Sequence, residues 1–307
     1  MKARPEVAAV WMQQAERSNM LALRVIVWVA QRLGRPVARL MLYPITWYFV
    51  LAVPKARQAS IAYLRRVLGR EPGWIDGFRH VFCFASTILD RFYLLNGRYD
   101  LFDTQLIGQD VAHAILAEGR GAIMIGAHLG SFEAVRASSD SMDDLNVSMV
   151  MYEDNAVKLN QILAAINPAM KHNIIPLGNV DSMLRVKHCL ERGEMVGMLC
   201  DRMLSGESGR QVDLLGTPAG FPVGPFRLAA MLKRPVILIV GLYRGGNRYE
   251  IHFEHIADFS KPGAPTVEQT IDLYVSRLEH YCRRAPYNWF NFYDFWDELG
   301  QSRPPRP

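Results

Sequence analysis

Cysteine is scarce in this chain of 307 residues, and its four copies are far apart. They form no CxxC pair and no Cys/His ladder, so neither a zinc site nor a disulfide framework is indicated, and a reducing cytosolic environment fits. Internal repeats and low-complexity segments are also lacking, apart from the terminal "SRPPRP". Half of the residues are hydrophobic, which is enough to bury a substantial core. The cysteines are Cys83, Cys189, Cys200 and Cys282.

A hydrophobic run long enough to cross a membrane as a straight helix is missing as well. Residues 40–54 are uncharged, but they fall short of the roughly 20 residues that a span requires, and Pro44 interrupts them. No small-residue cleavage site follows the apolar stretch, so a cleavable signal peptide is not expected. The pattern favours helices that lie on the membrane or re-enter it over a single N-terminal anchor that spans it. The alternative is that these segments simply cover a catalytic domain.

Acidic residues are rare at the amino-terminal end. Residues 1–70 hold twelve Lys or Arg and only Glu6 and Glu16, whereas the rest of the chain carries 23 basic and 28 acidic residues. Tryptophan, tyrosine and leucine stand between these cations, a mixture that suits anionic lipid headgroups. Nucleic acid is not an expected partner, because no recognition motif accompanies the arginines.

The spacing of apolar residues predicts a helical, basic and apolar membrane-facing region over 1–103 and an α/β catalytic domain over 104–307. Helix joints are expected at Gly34–Pro36, Pro54 and Pro72–Gly73. After residue 104, short apolar runs alternate with helical stretches, which predicts a mostly parallel sheet flanked by helices. Strands are expected at 121–127, 146–152, 173–178, 194–200, 210–216, 235–244 and 248–254. Helices are expected at 108–118, 131–142, 156–170, 180–192, 224–233 and 265–284.

A histidine and a carboxylate stand five positions apart in "IMIGAHLGSFEAVR", where an expected strand passes through a turn into a helix. Ligands gather at such carboxyl ends of strands. Glu133 can fold back and accept a hydrogen bond from one imidazole nitrogen of His128, which leaves the other as a base. Gly130 allows close approach to the backbone, and nearby amides could meet an oxyanion. A merely structural His–Glu pair stays open, and metal binding lacks a third ligand nearby.

"GAHLGSFE" resembles the H-x-x-x-x-[DE] signature of glycerolipid acyltransferases, and its surroundings resemble the bacterial lipid A biosynthesis acyltransferase family of lauroyl and myristoyl transferases. Three more blocks are similar to segments of that family, in the same order: "LERGEMVGMLCDR", "VDLLGTPAGFPVGPFRLAAMLKRPVILIVGLYR" and "PYNWFNFYDFW". The resemblance covers most of the chain and implies an acyltransferase that uses neither a metal nor another cofactor.

The resemblance also implies roles for residues. His128 would be the general base and Glu133 its partner. Asp201, Arg202, Arg227 and Gly130 would serve the substrate, with Arg202 the candidate cation for the oxyanion. The donor would be an acyl thioester of acyl carrier protein, or of coenzyme A, and an anionic membrane lipid surface would be a second partner. The implied location is the cytoplasmic face of a bacterial inner membrane.

Departures from the family pattern leave the acceptor open. Where the family usually has Leu-Tyr-Arg-Pro, this chain has Tyr152 followed by Glu153 and Asp154, and the family's Asp-Gln is Asp201-Arg202 here. At the first position a cation is lost and two acids are gained, which disfavours a phosphorylated acceptor there. The arginine at 202 leaves open that the positive group has moved rather than vanished. Alternative acceptors are a glycolipid, an ornithine-type lipid, or the headgroup of a pigment or polyene lipid. A non-catalytic membrane-associated binding protein and a thioesterase are the competing functions.

Overall fold

The computed structural model describes residues 28–139, 147–152, 174–177, 180–203 and 209–296. The helix expected at 156–170, the acids Glu153 and Asp154, and residues 1–27 lie outside these ranges. Within them the helices are α1 Gly34–Ala52, α2 Pro54–Leu68, α3 Trp74–Leu95, α4 Gln109–Ala117, α5 Phe132–Ser139, α6 Val180–Glu191, α7 Gly224–Met231 and α8 Val267–Arg284. A helical segment at 28–32 precedes α1.

Seven strands form one sheet in the order β1-β9-β8-β2-β5-β3-β4, and β6 and β7 form a separate antiparallel hairpin. All neighbours in the large sheet are parallel except β8 and β9. The predicted α/β class with a mostly parallel sheet flanked by helices is therefore confirmed. The strands are β1 Asp103–Ile107, β2 Ile123–Gly126, β3 Val147–Tyr152, β4 Ile174–Leu177, β5 Met195–Leu199, β6 Gly209–Leu214, β7 Thr217–Pro222, β8 Pro235–Tyr243 and β9 Arg248–Asp258.

Helices cover both faces of the sheet, which explains why its central strands read as unbroken apolar runs. Alternate side chains of β2 point to opposite sides: Ile123 and Ile125 join one core cluster, and Met124 joins the other. The first cluster includes residues of α2, α6, α7 and α8, and the second includes residues of α3, α4 and α5. The domain is therefore a three-layer sandwich whose central strands are inaccessible from either face.

The amino-terminal helices end and turn close to the predicted joints. Gly34 adopts a left-handed backbone conformation at the first joint, Pro54 occupies the first position of α2, and Gly69 ends α2 with another left-handed conformation. At the start of α3 the carboxylate of Asp76 accepts a hydrogen bond from the Gly73 amide. The boundary predicted between residues 103 and 104 stays a prediction, although the first strand begins at Asp103.

Helix α1 is apolar on two sides. Its inner side, including Ala38 and Leu42, packs against α3, while its outer side exposes a row of large hydrophobic residues. That row comprises Val37, Leu40, Tyr43, Trp47, Tyr48, Phe49 and Leu51. No single helix in the described ranges is long and apolar enough to cross a bilayer. The pair Gly34–Ala52 and Pro54–Leu68, bent by 95°, meets the length and composition requirement together.

Two strands went unrecognised in the sequence, for different reasons. Strand β1 lies at the edge of the sheet and is largely exposed, so it carries no apolar alternation. Strand β7 contains Pro218, Gly220 and Pro222, residues that normally indicate turns. Pairing with a neighbouring strand determines the position of each, since β1 pairs with β9 and β7 pairs with β6.

The turn after β2 is pressed against β8 at Gly130. This glycine has φ +72°, and a Cβ atom there would lie 1.9 Å from the Gly241 carbonyl oxygen. The neighbouring Ser131 amide donates a 2.7 Å hydrogen bond to that same oxygen. Only glycine therefore allows the turn to lie this close to the sheet.

We expect Gly130→Ala to lower the free energy of unfolding by about 3 kcal/mol or more, because a steric clash adds to the strain of the left-handed backbone. Gly69→Ala is the matched control: its φ is +65°, but a Cβ there meets nothing within 4 Å. That variant should lose only about 1–2 kcal/mol. Urea unfolding followed by fluorescence measures both, and equal losses would contradict the close-approach argument.

Candidate active site

His128 and Asp201 lie together because they follow adjacent strands of the sheet. Strand β2 pairs with β5 in parallel, with Gly126 opposite Leu199, and each polar residue comes two positions after that pair. Parallel strands end at the same edge, so the side chains that follow them converge there. The sheet topology, and not proximity in the sequence, brings this histidine and this acid together.

The Asp201 carboxylate holds His128 at two points. Oδ1 lies 2.9 Å from the imidazole Nδ1, and Oδ2 accepts a 3.0 Å hydrogen bond from the His128 backbone amide. An ionised carboxylate only accepts hydrogen bonds, so Nδ1 carries the proton and Nε2 has the free lone pair. Asp201 is buried, whereas the imidazole side chain is 33% exposed. The arrangement yields a neutral imidazole whose basic nitrogen is available to a ligand.

A segment near the carboxyl-terminal end completes this arrangement. The indole Nε1 of Trp289 donates a 2.9 Å hydrogen bond to Oδ2 of Asp201. On either side of Trp289, the Phe290 amide donates to the His128 carbonyl, and the Asn288 carbonyl accepts from the Gly130 amide. The fully buried imidazole of His80 lies 2.8 Å from the Trp289 carbonyl oxygen and holds this residue in position. The turn at His128 is thus paired with residues 288–290 like a short strand, with an antiparallel bridge between Leu129 and Trp289.

Glu133 does not hold the imidazole, and that part of the sequence prediction is wrong. The first turn of α5 directs its carboxylate to Arg91 on α3, where Oε1 lies 2.8 Å from Nε. The Nδ1 position that Glu133 was expected to occupy is taken by Asp201. Spacing within one turn and helix suggested a local partner, but the neighbouring strand supplies a closer one.

The charges around His128 set its protonation. Burial lowers the pKa of His128, the positive charge of Arg202 lowers it further, the Asp201 carboxylate opposes both, and Arg91 adds a smaller lowering. Burial alone would raise the pKa of Asp201, but His128, Arg202 and the Trp289 indole hold it well below its usual range. A neutral imidazole beside an ionised carboxylate is the state that a general base requires at neutral pH.

The other predicted substrate residues divide into three cases. Arg202 is close to the site, with one guanidinium N–H donating to the Phe290 carbonyl and its charge acting on His128. Asp201 is corrected from a substrate contact to the orienting partner of the imidazole, because it is buried against His128. Arg227 lies on α7 in a groove with Arg210 and Glu268, and no described contact joins it to His128.

The Gly130 amide donates a hydrogen bond to the Asn288 carbonyl, so it is not available to a substrate. The role of Gly130 is steric, as the contact with Gly241 shows. Within the described ranges, no group of three or more His, Cys, Asp or Glu side chains could hold a metal ion.

Sequence reasoning missed Arg91 and Trp289. Arg91 lies 37 positions before His128 on a helix, and Trp289 lies in the aromatic block "PYNWFNFYDFW". The resemblance of that block to a family segment was the sequence signal for Trp289, but no role was assigned to the residue. An indole with one polar atom in a buried block is a candidate hydrogen-bond donor.

The fold and the site define an α/β protein with a histidine–carboxylate pair at the carboxyl edge of its parallel strands. The sequence profile of the bacterial lipid A biosynthesis acyltransferase family matches residues 89–297, which include this pair, Arg91 and Trp289. The chain therefore belongs to that family, whose members are acyltransferases. No curated protein sequence matches it significantly.

We expect Trp289→Phe to lower the free energy of unfolding by about 2–4 kcal/mol, because a buried carboxylate loses a hydrogen-bond donor and a smaller ring fills the site less well. Trp296→Phe is the matched control. Its indole nitrogen is buried and has no hydrogen-bond partner among the described residues, so it undergoes the same change of shape without losing a hydrogen bond. Thermal unfolding compares the two, and equal destabilisation would contradict the role given to the Trp289 N–H.

Proposed function

We propose that this chain transfers a fatty acyl group from an acyl thioester to a hydroxyl or amine of a lipid acceptor, with His128 as the general base. The observation that carries the proposal is the partly exposed imidazole whose Nδ1 is held by the buried Asp201. Membership of an acyltransferase family supports the same reaction class. This geometry matches the arrangement in which an acid orients a histidine that activates a nucleophile.

The proposed reaction needs one base and no nucleophile from the protein. Nε2 of His128 takes the proton from the acceptor hydroxyl or amine as its oxygen or nitrogen bonds to the thioester carbonyl carbon. The carbonyl π electrons move onto oxygen and form a tetrahedral oxyanion. When the C=O bond re-forms, the C–S bond breaks, and the thiolate leaves and takes the proton from the imidazolium. Asp201 stabilises that imidazolium while it exists.

A cation beside the imidazole stabilises the oxyanion in this proposal. Arg202 is one such cation, since its charge acts on both His128 and Asp201. The backbone amides of the catalytic turn at His128, Gly130 and Ser131 all donate to protein acceptors instead. Oxyanion stabilisation therefore depends on side-chain cations more than on these amides.

Acyl carrier protein is the donor partner that we propose, with coenzyme A as the alternative. The acceptor is a lipid, and the acids Glu153 and Asp154, where the family usually has a cation, favour an acceptor other than a lipid A sugar phosphate. A glycolipid, an ornithine-type lipid or a pigment or polyene lipid headgroup fits this change of charge. Comparative lipid mass spectrometry of cells that produce the wild-type protein or His128→Ala tests the acceptor, through a species displaced by the mass of one acyl chain.

Association with the cytoplasmic face of a bacterial inner membrane is proposed from the outer side of α1. The outer row of α1 is a set of large apolar and aromatic side chains left exposed, and exposed apolar surface of this kind indicates contact with a protein or a membrane. Trp47 and Tyr48 belong to this row, Trp28 in the preceding helical segment is also exposed, and such rings favour the membrane–water interface. Phe84 and Ile88 on α3 are also exposed and lie two turns and one turn before Arg91, respectively. This helix thus leads from the apolar surface to the site, as an acceptor drawn from the bilayer requires.

Loss of the base should abolish transfer. We expect His128→Ala to reduce the rate of acyl transfer by roughly 10²–10⁴-fold with the fold intact, because no other group takes the proton. His113→Ala, which removes an exposed histidine of α4, is the control and should keep wild-type activity. The assay follows acyl transfer from lauroyl- and palmitoyl-acyl carrier protein to a total lipid extract.

A folded His128→Ala protein with near-normal turnover would contradict the proposal. Release of free fatty acid without lipid would instead indicate a thioesterase, and no turnover of either kind by the wild type would indicate a binding protein.

Charges on the outer side of α1 should weaken membrane association. Leu40 and Leu51 are 69% and 60% exposed, and Met231 on α7 is 75% exposed. We expect Leu40→Glu with Leu51→Glu to shift the protein from anionic liposomes into solution, because apolar contact is lost and each carboxylate is repelled. Met231→Glu, an equally exposed site outside this surface, should not. Co-sedimentation at low salt measures the bound fraction. Equal partitioning of all three proteins would remove the membrane assignment.

A further inference from the structure

The Arg91–Glu133 pair is a second charged unit at the site, distinct from the His128–Asp201 pair. It joins α3 to the first turn of α5, and its carboxylate side chain is 10% exposed while that of the arginine is 26% exposed. Glu133 lies in the first turn of α5, where a carboxylate interacts favourably with the helix dipole. The pair is partly buried, and the charge of its arginine acts on His128.

The geometry of the pair leaves an arginine donor unsatisfied. Although Nε of Arg91 lies 2.8 Å from Oε1 of Glu133, its N–H is not aimed at that oxygen, and this buried atom has no hydrogen-bond partner among the described residues. The contact is therefore an ion pair that fixes the guanidinium without using this donor. A buried donor without a partner is costly, so Nε alone does not fix the guanidinium, and the 26% of the Arg91 side chain that stays exposed is the part that a ligand oxygen can reach.

Arg91 is close enough to His128 for its charge to act on the imidazole. Its backbone is held in place by the preceding residue, because Asp90 accepts hydrogen bonds from Arg35 at 2.7 and 2.9 Å and from the Tyr249 hydroxyl at 2.8 Å. The arginine thus lies on a fixed turn of α3, where its guanidinium meets Glu133. Such preorganisation is what stabilisation of a transient charge requires.

We propose that Arg91 is a catalytic residue that donates a hydrogen bond to the oxyanion of the tetrahedral intermediate, and that Glu133 is a positioning residue which acts through Arg91. The proposal rests on the acyl transfer proposed above and specifies how its intermediate is stabilised. It gives the carboxylate of the H-x-x-x-x-E motif a partner other than the histidine. Arg91 and Arg202 then act on His128 as two cations, with Asp201 bonded to its Nδ1.

Several groups surround His128 and must be considered when its pKa is measured. They are Asp201 after β5, Arg202 beside it, Arg91 on α3, Glu133 through Arg91, the Trp289 indole on Asp201, and the Tyr274 hydroxyl of α8, which donates to the Gly126 carbonyl. Removing the positive charge of Arg91 should raise the pKa of His128, since that charge disfavours the imidazolium. The base form then appears only at higher pH. Removing Glu133 leaves Arg91 uncompensated and should lower the pKa.

The test combines rates with a direct titration. Arg91→Met should slow acyl transfer from lauroyl- and palmitoyl-acyl carrier protein to a total lipid extract by roughly 10²-fold, as loss of an oxyanion donor does. Glu133→Gln should slow it by roughly 10-fold. Because Glu133 acts through Arg91, the double variant should be no slower than Arg91→Met alone. A double variant slower by the product of the two single effects would overturn the proposal.

The titration separates catalysis from folding and needs no substrate. Proton NMR of the His128 ring in the full-length protein should show its pKa raised by Arg91→Met, lowered by Glu133→Gln, and close to the wild-type value in Arg91→Lys, which keeps the charge. Arg91→Lys should nevertheless lose activity, because an ammonium does not reproduce the guanidinium fork. Arg98→Met, which removes one partner of an exposed ion pair with Asp100, is the control for both measurements. An unchanged His128 pKa in Arg91→Met would overturn the proposal.

The two proposals fail in different ways. If His128→Ala keeps its activity, the acyl transfer mechanism is wrong whatever Arg91 does. If His128→Ala is inactive while Arg91→Met has the wild-type rate, only the role of Arg91 is wrong. Arg91→Lys provides the rate comparison if Arg91→Met does not fold.

Discussion

The structure of the site depends on one buried carboxylate. Asp201 accepts hydrogen bonds from the His128 amide, the His128 imidazole and the Trp289 indole. These donors come from a turn after β2 and from a segment near the end of the chain, while the acid itself follows β5. Burying an ionised carboxylate is unfavourable unless such bonds compensate it. The three segments can reach their native positions only together, so the charge of Asp201 ties the geometry of the base to the fold of the whole sheet.

The sequence was informative where local rules govern structure. Apolar runs and turn residues located the strands β2 to β6, β8 and β9, and the sheet class followed, because alternation along the chain dictates it. The sequence was uninformative about contacts between residues that lie far apart along the chain. The link between His128 and Asp201 depends on β2 and β5 being neighbours, which no spacing reveals, and the local candidate Glu133 was therefore assigned to the imidazole wrongly. Family resemblance pointed to Asp201 as a site residue but not to its contact.

Helix α3 connects the two regions of the protein. On one turn, the buried carboxylate of Asp90 accepts hydrogen bonds from Arg35 of α1 and Tyr249 of β9, and the next residue, Arg91, pairs with Glu133 of the helix that follows His128. The aromatic contacts of Tyr43 and Trp47 with Phe78 and Phe82 join α1 to the preceding turns of the same helix. A displacement of α1 against α3 would therefore be transmitted to the arginine. The outer row of α1 and the site are both linked to helix α3. A molecule bound to α1 therefore affects how the site residues are held.

The pairing of residues 288–290 with the turn at His128 has a consequence for the order of biosynthesis. A ribosome adds His128 to the growing chain long before it adds Trp289, and in the interval Asp201 lacks its indole donor while the turn lacks its flanking backbone partners. The nascent polypeptide therefore holds all the motif residues early but no assembled base. The base that we propose is therefore complete only when the aromatic segment has emerged and docked against the turn at His128.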